Sequence, residues 1–254
     1  MKTIDLNCDV GERDDLAVGV QESLMECVTS ANVACGAHAG NPKLMSMTVR
    51  QALIRGVVIG AHPGYPDPSN FGRLALDMPI SELEKSIEDQ IILVSRLAKE
   101  AGAEVRYVKP HGALYNKAAL EPELAQAIGR AVARVNPGLP IVGLAGSPAL
   151  ALWGAAGVQA VPEAFADRRY EADGSLRPRC FADAMLRSPA EAAEQALGIA
   201  LRGEVVARGG VVVKIDAQTL CIHGDTPSSV EMARFVRRGL EESGVTLRFW
   251  GLPT

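Results

Sequence analysis

Short apolar runs alternate with helical patterns along this chain of 254 residues, and that alternation is the strongest constraint on its fold. The runs are rich in valine, isoleucine and alanine, and their apolar character is continuous. Such continuity is typical of strands buried on both faces of a parallel sheet with crossover helices. The pattern predicts an α/β fold with about seven strands, in a barrel or a doubly wound sheet. The predicted strands are 4–10, 31–35, 57–61, 105–109, 141–144, 158–163 and 220–222.

Helix boundaries are marked by capping residues, prolines and glycines. Four segments start with a capping residue followed by proline and end at a glycine, namely 41–56, 147–157, 188–203 and 226–244. Ser81 and Glu84 have the spacing of a capping box ahead of a long helix that ends near Gly102. Helical spacing of apolar residues predicts a further helix over 121–135, and Gly209-Gly210 predicts a hairpin over 205–215.

Composition limits the partners and the location of the protein. The 26 basic and 30 acidic residues nearly balance, which argues against a surface built for nucleic acid or anionic membranes. Apolar runs stay well below the ~20 residues of a spanning helix, and a strand-like run follows Met1 almost at once. We therefore expect a cytoplasmic protein without a signal peptide, forming one domain over 1–254. An odd number of cysteines without a Cys-x-x-Cys pair indicates reduced thiols, with Cys8, Cys35 and Cys221 as small apolar strand residues.

Ionisable and polar side chains follow the predicted strands. In the segment 108–116, Lys109, His111, Tyr115 and Asn116 come directly after a strand-like run. Ligands of βα folds bind at the carboxyl ends of the strands, so this segment is the expected centre of a site. All four histidines share the placement, and they are His38, His62, His111 and His223.

Carboxylates and arginines are placed in the same way. The acidic residues that follow strands are Asp9, Glu12, Glu163, Asp167 and Asp225. A carboxylate beside imidazoles can act as a general base, although Asp9 and Glu12 could equally cap or solvate a loop. Arg73 lies in a glycine-bearing loop that suits bidentate capture of a carboxylate or phosphate. Arg169, Arg177 and Arg179 are interpreted as solvated loop charges.

Several common catalytic and nucleotide-binding motifs are missing from the sequence. It has no P-loop, no Gly-x-Ser-x-Gly elbow and no His-Glu-x-x-His, and Gly143-Leu144-Ala145-Gly146 is too short for a dinucleotide fingerprint. A serine hydrolase or a helix-borne zinc protease is therefore disfavoured. Helix N-termini and arginines would have to hold any nucleotide.

Six strings of residues, in order and spanning nearly the whole chain, resemble the LamB/YcsF family. They are 5–12, 30–40, 60–67 with 70–73, 108–116, 163–168 with 173–176, and 221–225. The resemblance implies a seven-stranded (β/α) barrel of the glycoside hydrolase/deacetylase type. It also implies the role of the A subunit in an ATP-dependent 5-oxoprolinase, which opens the lactam of 5-oxo-L-proline to L-glutamate. Two departures are the short segment after Glu12 and Leu74 where a second arginine is common.

The resemblance also implies partners and cofactors, whereas the residue roles given after them are assigned from the shared position of these residues after strands. ATP would be a co-substrate, the B and C subunits would complete the complex, and a divalent metal remains open, with no metal ligand assigned. Asp9 or Glu12 would be the base for water, and His62 or His111 the acid or oxyanion donor. Lys109 with Arg73 would hold phosphate or carboxylate. The remaining expected substrate-binding residues are Asn7, His38, Tyr115, Asn116, Glu163, Asp167, Arg168 and His223.

Two other functions fit parts of the pattern. A metal-dependent carbohydrate deacetylase would use Asp9, His38 and His62 as zinc ligands. Against it, Pro42 stands four residues after His38, where the second histidine of a one-turn pair is expected. The other alternative is a non-catalytic subunit that binds a small molecule.

Overall fold

The computed structural model describes residues 2–13, 19–224 and 228–252. The strands are β1 (Thr3–Val10), β2 (Ser30–Ala34), β3 (Val58–His62), β4 (Val105–Val108), β5 (Ile141–Leu144), β6 (Ala160–Phe165), β7 (Glu204–Val206), β8 (Val212–Lys214), β9 (Thr219–Ile222) and β10 (Thr246–Leu247). Within the described ranges, β1 to β6 and β9 close into a seven-stranded parallel barrel, because β1 pairs with both β2 and β9. This confirms the predicted barrel, and its strand bounds differ from the predicted ones by at most two residues.

Helices cover the outside of the barrel and connect its strands. They are α1 (Val20–Met25), α2 (Pro42–Ile54), α3 (Ile80–Glu100), α4 (Gly112–Ala118), α5 (Pro122–Val135), α6 (Pro148–Ala155), α7 (Pro189–Leu197) and α8 (Ser229–Glu242). The caps at Asn41 and Ser188 are confirmed, since each side chain accepts a backbone N–H from the first turn. Ser147 precedes α6 but makes no side-chain cap. The start signal at 226–227 lies outside the described residues.

The capping box predicted at Ser81 and Glu84 is wrong. Helix α3 begins at Ile80, directly after Pro79, and its first turn has no side-chain cap. The carboxylate of Glu84 instead accepts hydrogen bonds from Arg130 and Arg134 of α5. Two charged donors from a neighbouring helix bind a carboxylate more strongly than one backbone N–H does, so Glu84 ties α3 to α5.

The inward face of β1 is polar, whereas its outward face is apolar. Strand geometry sends alternate side chains to opposite faces, so Leu6 and Cys8 pack in the core with the helices. Asp5, Asn7 and Asp9 lie on the opposite face, where Asp5 bonds to the adjacent strand β9 and the other two bond to groups across the barrel. The strand is buried on both faces as predicted, but the barrel interior is filled partly by polar groups.

Gly60 on β3 leaves room for an aromatic ring inside the barrel. A Cβ atom built on Gly60 would lie 2.3 Å from the ring of Tyr107 on β4. The Tyr107 hydroxyl donates to Asn32 Oδ1 over 2.7 Å, so the ring bridges towards β2. Glycine is therefore required here by the close approach of the ring.

The hairpin predicted over 205–215 is confirmed, because β7 and β8 form an antiparallel pair. Helix α4 was not predicted, because it begins at Gly112, a left-handed glycine inside the polar segment 108–116. None of the helices in the described part of the chain is long and apolar enough to cross a membrane.

Candidate active site

Asp5 lies deepest in the polar interior. It accepts hydrogen bonds from the hydroxyls of Thr29 at 2.5 Å, Ser30 at 2.8 Å and Thr219 at 2.5 Å. Burial raises the pKa of Asp5 to about 6, although the three hydroxyl donors counteract it. Asp5 joins β1 to β2 and β9 and supports the groups above it.

Lys109 is the charged centre of the next layer. Its Nζ atom lies 3.1 Å from Asp9 Oδ1, 3.0 Å from Glu163 Oε1 and 3.1 Å from Cys221 Sγ. Burial opposes its charge, but Asp9, Cys221 and Glu163 outweigh burial and hold the pKa of Lys109 well above its usual value. One ammonium group is therefore shared between two buried carboxylates.

Asp9 links this layer to the histidines. Burial would raise the pKa of Asp9, but His62 and Lys109 outweigh it and hold that pKa well below its usual value. Oδ1 of Asp9 accepts from Asn32 Nδ2 at 2.7 Å and Oδ2 lies 3.5 Å from His62 Nε2. Asp9 is therefore ionised at neutral pH and held on both oxygens.

Three histidine rings and Glu12 meet above Asp9. His62 Nε2 lies 3.0 Å from His111 Nδ1, and Glu12 Oε1 lies 3.3 Å from the same His111 atom. The His38 ring stacks on His111 with centroids 3.8 Å apart, and its Nε2 is 3.6 Å from Glu12 Oε1. Burial, reinforced by neighbouring imidazoles, lowers the pKa of His38 to about 3 and that of His111 well below its usual value. Both rings are therefore neutral at neutral pH.

The other wall carries a histidine–aspartate pair and a buried arginine. The His223 Nδ1 atom lies 2.9 Å from Asp167 Oδ2, and the His223 ring stacks on Phe165. Arg168 is 3% exposed and donates from Nη2 to the carbonyl of Arg177 at 2.7 Å. Burial lowers the pKa of Arg168 to about 10, with Arg179 adding to the effect, so its charge persists at neutral pH.

A cavity of about 830 Å³ opens between these two walls. It reaches most of the predicted site residues, namely Asp9, Glu12, His62, Arg73, Lys109, His111, Tyr115, Asn116, Arg168 and His223. Four predicted residues stand behind the lining and contact it, namely Asn7, His38, Glu163 and Asp167. The structure thus brings all predicted site residues to one end of the barrel. Asp225 lies outside the described residues.

Some predictions about individual residues are wrong. Arg177 is not a solvated charge, because it is 7% exposed and pairs with Glu171 at 2.6 Å and Asp183 at 2.7 Å. Arg179 is half-buried and lines the cavity. Cys221 has a polar contact in addition to its apolar packing, since its sulfur accepts a hydrogen bond from the Lys109 ammonium. These contacts join residues that are far apart in sequence or in irregular loops, which explains why the sequence did not indicate them.

Asn32 is a site residue that sequence reasoning missed. Its amide nitrogen donates to Asn7 Oδ1 and to Asp9 Oδ1, each at 2.7 Å, and its oxygen accepts from Tyr107. The available signal was an amide side chain in the middle of an otherwise apolar strand. Such a side chain needs buried partners, which the barrel interior supplies.

The fold and the cavity define a (β/α) barrel with a polar site at the carboxyl ends of its strands, the usual position of the active site in such barrels. The sequence profile of the LamB/YcsF family matches residues 4–251, and the chain belongs to that family.

Similar proteins have the same length and fold. The A subunit of 5-oxoprolinase from Chloroflexus aggregans is 45% identical over 249 residues, 98% of this chain and 99% of that protein. The crystal structure of the lactam utilization protein from Thermus thermophilus has a TM-score of 0.90 and 42% identity, over 97% of this chain and 99% of that one. A polysaccharide deacetylase from Bacillus cereus, 14% identical over 98% of this chain and 92% of that one, has a TM-score of 0.52 and shares the fold alone.

Proposed function

We propose that this chain is the A subunit of an ATP-dependent 5-oxoprolinase, which opens the lactam of 5-oxo-L-proline to L-glutamate in a complex with the B and C subunits. The observation that carries the proposal is 45% identity, over nearly the full length of both chains, to a protein named as the A subunit of 5-oxoprolinase. The name of the Thermus thermophilus lactam utilization protein supports the same substrate class.

The reaction needs three chemical operations. The γ-phosphoryl group of ATP moves to the lactam oxygen, which releases ADP and makes the ring carbon electrophilic. One water attacks that carbon and the carbon–nitrogen bond breaks, which leaves an acyl phosphate, and a second water then releases phosphate from it. The nitrogen gains a proton, so the products are glutamate, ADP and phosphate. A site for this reaction requires a base for water, a proton donor for nitrogen and cations for the anionic groups.

Asp9 and Glu12 are the candidates for the base, because both carboxylates line the cavity. Asp9 is ionised and therefore able to accept a proton, although its lowered pKa makes it a weaker base than an ordinary aspartate. Asn32 and Lys109 hold one of its oxygens, which fixes the direction of the other.

The proton donor fits His223 better than His111. The Nε2–H of His111 is donated to the carbonyl of Phe71 over 2.9 Å, and the lowered pKa of His111 disfavours a second proton. The Nδ1–H of His223 is donated to Asp167, which fixes the ring and leaves Nε2 for proton exchange with substrate in the cavity. We therefore assign proton transfer to the leaving nitrogen to His223.

Arg168 is the favoured partner for the carboxylate of 5-oxoproline. The charge of Lys109 is already balanced by Asp9 and Glu163, so Lys109 has little left for substrate. Among the described residues, Arg168 has no carboxylate within ion-pair distance, and its Nε atom has no hydrogen-bond partner. A buried guanidinium without a carboxylate partner among the described residues stabilises an anionic ligand in the cavity that it lines.

The proposal is tested by measuring glutamate and ADP release from 5-oxoproline and ATP, with and without the B and C subunits. We expect equal amounts of glutamate and ADP only from the complete mixture. Deacetylation of N-acetyl sugars with no glutamate formation would contradict the proposal. So would normal turnover by the complex with Asp9→Asn, Glu12→Gln and His223→Gln chains, which would indicate a non-catalytic binding subunit.

Arg168→Gln tests the binding assignment separately. Loss of one charge-assisted hydrogen bond costs about 1.5–3 kcal/mol, so KM for 5-oxoproline should rise roughly 10–150-fold, with a smaller effect on kcat. Arg237→Gln is the control, because Arg237 pairs with Glu241 on the exposed side of α8. An unchanged KM in a folded Arg168→Gln protein would exclude this role.

A further inference from the structure

The histidine–glutamate cluster, defined as Glu12, His38, His62 and His111, gathers four ligand-type side chains at one point. One nitrogen or oxygen atom from each lies within 4.8 Å of the corresponding atoms of the other three. The three histidines are each at most 5% exposed. His62 is the last residue of β3, and the other three come from the segments after β1, β2 and β4, so the fold converges on this point.

Backbone carbonyls determine which ring nitrogens of His62 and His111 carry hydrogen. His62 Nδ1 lies 2.7 Å from the carbonyl oxygen of Lys109, and His111 Nε2 lies 2.9 Å from that of Phe71. A carbonyl oxygen only accepts, so both of these nitrogens are N–H donors. The remaining nitrogens, His62 Nε2 and His111 Nδ1, face each other, and each presents a lone pair unless it binds a proton.

The two nitrogen atoms are 3.0 Å apart, and two lone pairs at that distance repel each other unless a positive charge lies between or beside them. Carboxylate oxygens of Glu12 and Asp9 are also close, at 3.3 Å from His111 Nδ1 and 3.5 Å from His62 Nε2. The groups facing this point are thus electron-pair donors. Such a set requires either a proton or a metal ion.

His38 favours a metal ion over a shared proton. It is 1% exposed, and neither ring nitrogen has a hydrogen-bond partner among the described residues. A shared proton between His62 and His111 would leave this third buried imidazole without any hydrogen bond, which is unfavourable for a buried polar group. An ion coordinated by all three rings would give one of the two His38 nitrogens a partner.

Ligand spacing and hydrogen bonding fit a transition metal. Zinc–nitrogen distances of about 2.0–2.1 Å place tetrahedral ligands about 3.3 Å apart, and four separations between ligand atoms of the cluster are 3.0, 3.3, 3.6 and 4.0 Å, so binding requires a contraction of a few tenths of an ångström at the widest of these pairs. Donation of the second ring N–H to a backbone carbonyl is the usual arrangement of a metal-bound histidine, and His62 and His111 both have it.

We propose that the histidine–glutamate cluster binds one divalent first-row transition metal ion, with zinc as the best match to three imidazoles and one carboxylate. Glu12, His62 and His111 line the cavity, so the ion would be reached from it. Coordination by Glu12 would leave Asp9 as the uncoordinated carboxylate beside the ion. The proposal concerns metal binding alone and does not depend on the lactam reaction.

The test is titration of chelator-treated, untagged protein with Co²⁺, followed by its visible absorption, and with Zn²⁺ by calorimetry. We expect one equivalent of Co²⁺ with the intense bands of a four-coordinate site, and displacement by one equivalent of Zn²⁺. His38→Gln should weaken binding at least tenfold, because even loss of a group that only orients a ligand costs 10–100-fold. His223→Gln is the control, since it removes the one histidine outside the cluster and should leave metal affinity unchanged.

Two results would overturn the proposal. One is that the wild-type protein shows no saturable binding of Co²⁺ or Zn²⁺ near one equivalent. The other is that the wild type and the folded His38→Gln protein bind the metal ion with equal affinity. If His38→Gln fails to fold, anomalous diffraction from wild-type crystals soaked in Zn²⁺ decides the matter. Density between Glu12, His62 and His111 would support the proposal, whereas density only beside Asp9, Cys221 and His223, or none, would refute it.

Discussion

Replacing Lys109 by methionine removes the cation that two buried carboxylates share. Asp9 is 7% exposed and Glu163 is fully buried, and each has an oxygen about 3 Å from Lys109 Nζ. Methionine keeps much of the side-chain volume without the charge. The variant therefore isolates the electrostatic contribution of the ammonium group.

The expected loss of stability is large. Removing one partner of a buried ion pair typically costs about 3–5 kcal/mol, because the remaining charge is buried without compensation. Here the substitution uncovers two carboxylates, so we expect the upper part of that range. Glu163→Gln on the Lys109→Met background should restore part of the stability, since it removes one uncovered charge.

The pH dependence gives the sign of the effect. In the wild type, the lowered pKa of Asp9 adds stability above its unfolded pKa, and that stability is lost as pH falls through the folded pKa. Without Lys109, burial is opposed chiefly by His62, so the pKa of Asp9 rises relative to wild type and the folded variant holds its proton to a higher pH than the folded wild type does. The stability gap between wild type and variant should therefore be smaller at pH 5 than at pH 8.

The assay is urea unfolding followed by circular dichroism at both pH values. Lys85→Met is the control, because the Lys85–Asp89 pair lies on the exposed face of α3 and should matter little. A Lys109→Met protein within about 1 kcal/mol of wild type at both pH values would refute the account of the charged centre.

Three further substitutions test the barrel interior. Gly60→Ala should lower the free energy of unfolding in urea by about 1–3 kcal/mol, because the new Cβ atom would overlap the Tyr107 ring. The control is Gly154→Ala on α6, which has free space around it and should not be destabilised. Equal effects of the two substitutions would contradict this explanation. Tyr107→Phe should cost about 1 kcal/mol by removing the bond to Asn32, and an unchanged midpoint would show that this bond contributes nothing. The raised pKa of Asp5, about 6, predicts that the stability of wild type relative to Asp5→Asn falls as pH rises from 4 to 6; a constant difference would contradict it.

The barrel could be predicted from the sequence because its signals are local. Each strand is a compact apolar run, and the caps at Asn41 and Ser188 act within one helical turn. The Ser81–Glu84 signal failed because its carboxylate binds arginines some 46 and 50 residues further along the chain. A local motif does not indicate which distant group will compete for it.

The position of the site could also be predicted, but its internal pairing could not. Polar residues after strands indicated one end of the barrel, since parallel strands bring their carboxyl ends together. The bonds of Asn7 to Glu163 and of Lys109 to Asp9 span 156 and 100 residues, and they depend on barrel closure. Asn32 and Cys221 were missed because their roles arise from neighbours on other strands.

The central claim is that the carboxylates of this cavity take part in lactam opening. Its most direct test is the rate of ATP-dependent glutamate formation by the complete complex containing wild-type, Asp9→Asn or Glu12→Gln chains, each shown to be folded. Loss of a general base costs typically 10²–10⁴-fold, so we predict that at least one variant loses roughly that factor in kcat. Wild-type kcat in both variants would contradict the account.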